Sequence, residues 1–384
     1  MFNDSSEYFS VLIPDGDCSL FGSVLNCLSQ VKDVGLFVMS EKKDHAFRYS
    51  RFIKGFFYFP PASDDLEWLA RIDKVVEENQ IDVIMPIWET AIKTILENRD
   101  FLRSREKLVP LPTLQYFTIA GSKDLLAEHL ERHGIPGAKT IPLSFDALAD
   151  RDAFKLQFPL LAKPLISGGG KGIVKFQDFD SLATHFKTKG INQSYILQEF
   201  ITGEDYGCNV LCQDGEVLAF TMQKGNLWDP AKPYSFQVGL DFVYHEKLYQ
   251  TVKSLMKSLH WNGIADLDLL YHRASDTFYI VEINPRVWGT LLAALMAGIN
   301  YPHLWVLLAM KKPIPLQSYK QIPYVTLRGL EILLKKDKSL LLRPGFIWNN
   351  SPLKFRFDDP VRIFIQIFRS LKHTVSGKFK SPEQ

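Results

Sequence analysis

The sequence predicts an α/β fold built on a parallel sheet, and three observations predict it. Apolar runs of strand length alternate with stretches of helical periodicity over the first hundred residues. Turn-forming residues separate them, as Asp15-Gly16-Asp17 does after the first run. The 384 residues are 46% apolar and 23% charged, a globular composition with enough apolar material for a sizeable core.

Taken in order, Tyr8 to Pro14 (YFSVLIP) predicts a buried strand. Leu20, Phe21, Val24, Leu25, Leu28 and Val31 recur at helical spacing. Val34 to Met39 is a second strand. Leu66, Leu69, Ile72, Val75 and Val76 mark one side of a helix over 66–79. Residues 81–87 (IDVIMPI) predict a third strand, and 89–99 another helix. Such β-α-β spacing implies a parallel sheet with helices on both faces, with ligands expected at the loops after the strands. The loops at Asp15–Phe21 and at Trp88-Glu89-Thr90 are therefore candidates for holding a substrate. The GxGxxG fingerprint is absent there, so the shape implies no nicotinamide cofactor. Pro110 and Pro112 mark a boundary. A helix is expected from about Ser122 to His133, stopped by Gly134. Short strands and turns are expected from Lys139 to Tyr195. Strand-like runs follow at 195–200, 207–212 and 217–223, then a helix at 246–260 and strands at 264–271 and 277–283.

The net charge of +2 is too balanced for a general nucleic-acid binder. The balance is uneven: residues 328–384 carry 12 Lys and Arg against 5 Asp and Glu. Four cysteines (Cys18, Cys27, Cys208, Cys212) form neither a disulfide framework nor a zinc pattern. The first residues lack a basic segment followed by an apolar one, so a cytoplasmic setting is expected. Val287 to Met310 contains no Asp, Glu, Lys or Arg, but Gly298, Asn300, Pro302 and His303 interrupt it. It reads as two buried helical pieces rather than one spanning helix.

Three segments carry chemistry. Leu160-Leu161-Ala162-Lys163-Pro164 is an apolar strand ending on a lysine. Gly168, Gly169, Gly170, Lys171 and Gly172 follow, then strand character resumes at Ile173 to Phe176. Glycines admit a phosphate close to backbone N–H groups. The following strand excludes a Walker-type loop, which opens a helix. In 195–206, an apolar strand leads to Gln198, Glu199, Phe200 and Ile201, then to Glu204 and Asp205 past a turn glycine. Its backbone can meet a purine edge and an acid beyond it can accept from ribose hydroxyls. In 263–290, period two puts Asp266 with Asp268, and Glu282 with Asn284, on one strand face each. Asp268, Glu282 and Asn284 can converge as hard oxygen ligands suited to Mg²⁺ or Mn²⁺. Arg286 adds a planar fork for a phosphoryl oxygen or carboxylate.

These pieces, in this order, resemble the ATP-grasp superfamily, most of all its carbamoyl-phosphate-synthetase-like carboxylate–amine ligases. The resemblance implies an α+β ATP-grasp fold: a Rossmann-like pre-ATP-grasp domain over 1–112, an ATP-grasp domain over 113–312 with its lid at about 139–196, and a C-terminal antiparallel sheet within it. A basic extension would occupy 313–384. The resemblance further implies that Lys123 and Lys163 reach the nucleotide phosphates and that the glycine loop 168–172 closes over ATP. Gln198, Glu199, Phe200 and Ile201 would hold adenine, and Glu204 or Asp205 the ribose. Asp268, Glu282 and Asn284 would hold Mg²⁺, with Arg286 beside the transferred phosphoryl. Lys224 is a candidate basic residue between these segments. The implied reaction joins a small carboxylate to an amine through an acyl phosphate, and a lid would exclude water from that intermediate. Trp288 and Thr290, just after the arginine, are candidates for facing the substrate, with a core position the other reading for Trp288. Rival readings are a biotin-carboxylase-like enzyme, a kinase-like phosphotransferase and a non-catalytic nucleotide-binding module.

In 360–375, Ile363, Phe364, Ile367, Phe368 and Leu371 share a helical face, with Arg362, Arg369 and Lys372 off it. Two readings stay open: peripheral contact with an anionic membrane, or a terminal helix docked on the body.

Overall fold

A computed structural model describes residues 8–144, 148, 151, 154–165, 171–191, 194–231, 237–366 and 368. The chain divides into two compact units, one of residues 1–110, 287–315 and 337–384, the other of 111–286 and 316–336.

The first unit opens with β1 (Phe9–Ile13), α1 (Phe21–Leu28), β2 (Val34–Ser40), β3 (Ile53–Tyr58), α2 (Asp65–Asn79), β4 (Val83–Ile84) and α3 (Glu89–Glu97). The four strands are parallel in the order β3-β2-β1-β4. All five residues of β1 are buried, as its continuous apolar run requires of a central parallel strand. α2 starts where the Asp64 side chain accepts from Glu67 N at 2.8 Å and ends at Gln80 in the left-handed region. The strand expected over 81–87 narrows to β4, because Pro86 has no N–H to give a ladder.

The second unit runs through α4 (Leu114–Gly121), α5 (Lys123–Arg132), β5 (Thr140–Pro142), β6 (Leu160–Pro164), β7 (Val174–Phe176), α6 (Phe179–Lys189) and β8 (Tyr195–Glu199). It continues with β9 (Glu204–Gln213), β10 (Glu216–Trp228), β11 (Gln237–Val243), α7 (Glu246–Ser258), β12 (Gly263–His272) and β13 (Thr277–Asn284). Among the described residues β5-β8-β6-β7 form one small sheet. A larger sheet has the order β13-β12-β9-β10-β11-β14, where β14 is Pro323–Val325. α6 corrects the expectation of strands and turns alone before Tyr195. Asp178 caps it, accepting from Ser181 N at 2.8 Å, and Leu182, Ala183 and Phe186 are buried.

The remaining helices are α8 (Leu291–Ala297), α9 (Tyr301–Ala309), α10 (Leu327–Lys336), α11 (Pro344–Asn350) and α12 (Lys354–Phe357). α8 and α9 meet at 89°, and no single described helix is long and apolar enough to cross a membrane. They pack with α1 in the first unit rather than continuing the second. Segment 313–384 is likewise not one body. β14 pairs with β11 in the large sheet, while 337 onward belongs to the first unit.

Candidate active site

Alternation decides which side chains of the large sheet face its core. Cys208 and Val210 of β9, Leu267 of β12 and Ile283 of β13 pack with Val252, Leu255 and Met256 of α7. Their neighbours Asn209, Asp266, Asp268, Glu282 and Asn284 therefore lie on the opposite face. Register aligns them: Asp268 stands across from Glu282 and Gly207, and Asp266 across from Asn284 and Asn209. Cys208 and Cys212 are buried free thiols, and burial pushes both pKa values up.

A directed chain of hydrogen bonds runs across four strands. The Thr221 hydroxyl donates to Asn209 Oδ1 at 3.0 Å, and Asn209 Nδ2 donates to Asp266 Oδ1 at 2.7 Å. Asn284 Nδ2 donates to Asp266 Oδ2 at 3.4 Å, and Arg286 Nη2 donates to Asn284 Oδ1 at 3.1 Å. A carboxylate is acceptor-only when ionised, so Asp266 fixes which end of each amide faces it. The Asn284 carbonyl oxygen is thereby turned toward Arg286. Thr221 and Asn209 are fully buried and were not among the predicted site residues.

Loss of hydration on this face pushes the Asp268 pKa well above the carboxylate range. The charges of Asp266, Glu282 and Asp205 add to that, and Arg286 opposes it. The same loss of hydration raises Asp266, where Arg286 is the strongest opposing influence. A divalent cation fits this donor set. Asp268, Glu282 and Asn284 put two carboxylates and an amide oxygen on one face, all hard ligands, with an excess of negative charge. Among the described residues no group of three or more His, Cys, Asp or Glu is placed to hold a metal alone.

The phosphate side is built by the small sheet. Leu160 and Ala162 of β6 and Leu197 of β8 enter its core, which turns Lys163 and Gln198 the other way. Lys163 is 8% exposed, and its Nζ donates to Gln198 Oε1 at 2.6 Å. Gln198 Nε2 in turn donates to Thr140 Oγ1 at 2.9 Å. Burial, with some help from Lys123, brings the Lys163 pKa down to about 8, and the Glu282 charge resists. The Glu282 and Lys123 charges thus both act on Lys163. Lys123 opens α5 and donates to Leu165 O at 3.3 Å. β6 and β7 are an antiparallel pair. Gly168, Gly169 and Gly170 lie outside the described residues. Lys171 is exposed. Gly172 has φ +77°, and a Cβ there would sit 2.9 Å from Pro164 Cγ, so both backbone and space ask for glycine.

At the predicted adenine segment, the Glu199 carboxylate accepts from Gln157 N at 2.9 Å, and Phe200 N donates to Pro159 O at 2.9 Å. Lys175 Nζ sits 3.3 Å from the Phe200 ring centroid, and Ile201 is half-buried beside it. The two ribose candidates differ sharply. Glu204 is held by Arg273 Nη2 at 2.7 Å and Lys224 Nζ at 3.1 Å, and these keep its pKa below the usual range. Asp205 accepts from Trp228 Nε1 at 3.1 Å, its pKa is raised by burial, and its charge acts on Asp268. Lys224 is thus a partner of Glu204. Trp288 is a core aromatic of the first unit, 1% exposed and edge-on to Tyr301, the core position rather than the substrate-facing one.

The two predicted N-terminal loops come together within the first unit. Asp15, Asp17, Cys18, Trp88 and Thr90 line a cavity of about 610 Å³. Asp15 accepts from Trp88 N at 2.7 Å, and burial brings its pKa up to about 7.

A buried lysine ending a strand of a small antiparallel sheet, with a larger antiparallel sheet that carries carboxylates, an amide and an arginine on one face, accords with an ATP-grasp fold. Residues 120–290 match the family model of the ATP-grasp domain. It is 25% identical over 193 residues to the D-aspartate ligase of Enterococcus faecium, covering 45% of this chain and 46% of that protein. It is 25% identical over 198 residues to a D-alanine–D-alanine ligase of Acetivibrio thermocellus, covering 45% and 52%. In fold it is similar to an N5-carboxyaminoimidazole synthetase from Staphylococcus aureus complexed with ADP. The TM-score is 0.65 at 16% identity, over 86% of this chain and 85% of that one. The chain spans about half the length of the curated relatives it matches.

Proposed function

We propose that the chain is an ATP-dependent ligase that joins a small carboxylate to an amine through an acyl phosphate, releasing ADP and phosphate. The observation that carries this reading is the buried Lys163, bonded to Gln198 at the end of β6, whose charged form burial disfavours and the Glu282 charge favours. Lys163, Lys123 and the glycine loop ending at Gly172 would bind phosphate oxygens, and Arg286 would neutralise charge spreading onto the transferred group. Asp268, Glu282 and Asn284 would hold Mg²⁺, or Mn²⁺, which supplies Lewis-acid neutralisation of phosphate oxygens when bound. Asp205 is our choice for the ribose hydroxyls, because Glu204 is already held by two cations. Glu199, Phe200 and Ile201 are assigned to adenine, with Gln198 holding Lys163.

Two of the three curated relatives are named as ligases of amino acids and the third as a carbamoyl-phosphate synthase, and we place the substrates of this chain in the amino-acid class. The cavity of the first unit supports an amine-bearing ligand. Asp15, Asp17, Glu41, Asp64 and Asp65 line it with Arg71 and two tryptophans, a predominantly acidic wall for an ammonium group. The test is ADP release from Mg²⁺ and ATP over a panel of amino-acid carboxylates, with and without amines. Carboxylate-dependent release supports the ligase reading. Release coupled to a stable phosphorylated product would assign a kinase-like reaction instead.

A further inference from the structure

We propose that the surface built by residues 338–366 and 368 docks on an anionic lipid bilayer. The observation is an inverted helix. A helix docked on a protein body turns its apolar side inward and its charges outward. Residues 360–366 and 368 are helical, yet here the charge is inside. Arg362 is 5% exposed, its Nε donates to Asp359 Oδ2 at 2.8 Å, and its guanidinium lies 4.9 Å from the Phe47 ring. This corrects the expectation that Arg362 lies on an outward basic face. Phe364 and Phe368 are 70% and 61% exposed, one helical turn apart, with their rings stacked at 6.5 Å.

The preceding segments repeat the pattern. Leu342 is almost fully exposed, and Trp348 of α11 and Phe357 of α12 expose paired rings 5.6 Å apart. Seven of the sixteen large hydrophobic residues exposed among the described residues fall between Leu341 and Phe368, a density far above that of the remaining chain. Exposed Lys338, Arg343 and Arg356 are interleaved with them. Aromatic rings and leucines flanked by cations are the composition of an interfacial surface. The charge selects the occupant. A second copy would bring two faces of the same positive segment together, whereas anionic headgroups complement it.

The test uses the intact chain and sedimentation with vesicles of neutral phosphatidylcholine, or of the same lipid with about a third phosphatidylglycerol. The chain is expected to pellet with the anionic vesicles and to remain in solution with the neutral ones, with high salt weakening the association. Phe364→Glu with Phe368→Glu is expected to reduce partitioning about tenfold or more, with melting temperature and nucleotide binding unchanged. Brominated lipid is expected to quench tryptophan emission in the parent more than in Trp348→Phe. Equal, background-level sedimentation with both vesicle types overturns the proposal. So does a concentration-dependent dimer that the double variant abolishes, because the face would then belong to a second copy.

Discussion

Lys163 is the residue on which the phosphate side turns. It is buried, bonded to Gln198, and depressed to about 8. Its importance is visible in the sequence, because a lysine ending an apolar strand before glycines is unusual. Its partner is not, because Gln198 reaches it only through the pairing of β6 with β8. The depressed pKa carries two signs. In the unliganded chain, the folded state binds fewer protons than the unfolded one between about 8 and the ordinary lysine value of 10.5, so this residue's contribution to stability rises with pH across that window. Nucleotide phosphates favour the charged form, so affinity moves the other way. ADP affinity is expected to be flat below neutrality and to fall by up to about tenfold per pH unit above 8. Lys163→Arg, which keeps its charge, should remove that fall in a calorimetric titration. An equally steep fall in the variant would place the titrating group elsewhere. Glu282→Gln relieves repulsion with Asp268 across the ladder. Turnover should be lost and the added stabilisation from Mg²⁺ with ADP abolished, while the melting temperature of the unliganded protein stays the same or rises. Retained turnover would remove Glu282 from the proposed metal set.

The elements that read most directly are β12 and β13. In DLDLL and FYIVEIN, apolar residues alternate with acids and an amide, and period two sorts them onto the core and site faces. α6 was missed because its short amphipathic pattern lies among the turn residues of the small sheet, and its start depends on the cap at Asp178. The row from Thr221 to Arg286 was missed for a different reason. Asn209 and Thr221 look like isolated polar residues in apolar strands, and only the register of β10, β9, β12 and β13 joins them to Asp266 and Asn284. Their burial makes the row consequential. Thr221→Val removes a buried donor and should cost about 1–3 kcal/mol in denaturant unfolding. It should also weaken Mn²⁺ binding in the presence of ADP, read by electron paramagnetic resonance, because the Asn284 amide loses part of its orientation. Thr221→Ser should restore both. Unchanged Mn²⁺ affinity in Thr221→Val would confine this row to stability.

At the scale of the whole molecule, the expected linear order of domains gives way to two interleaved units, since residues 287–315 and 337–384 return to the first. The near-neutral total charge is a balance of unlike parts. Acidic groups gather on the face of the large sheet, cations on the small one, and a positive excess near the end of the chain. The Rossmann-like sheet, the strands flanking the glycines and the acidic strands could all be read from periodicity and glycine placement. The packing of the last helix could not, because Arg362 finds its partners at Asp359 and Phe47 rather than in solvent. The central claim is that these parts activate a carboxylate as an acyl phosphate, and hydroxylamine tests it most directly. Incubation with Mg²⁺, ATP, an amino-acid carboxylate panel and hydroxylamine should yield an acyl hydroxamate in proportion to ADP, and Glu282→Gln should yield none. ADP formed from an accepted carboxylate without hydroxamate, alongside a stable phosphorylated product, would contradict the account.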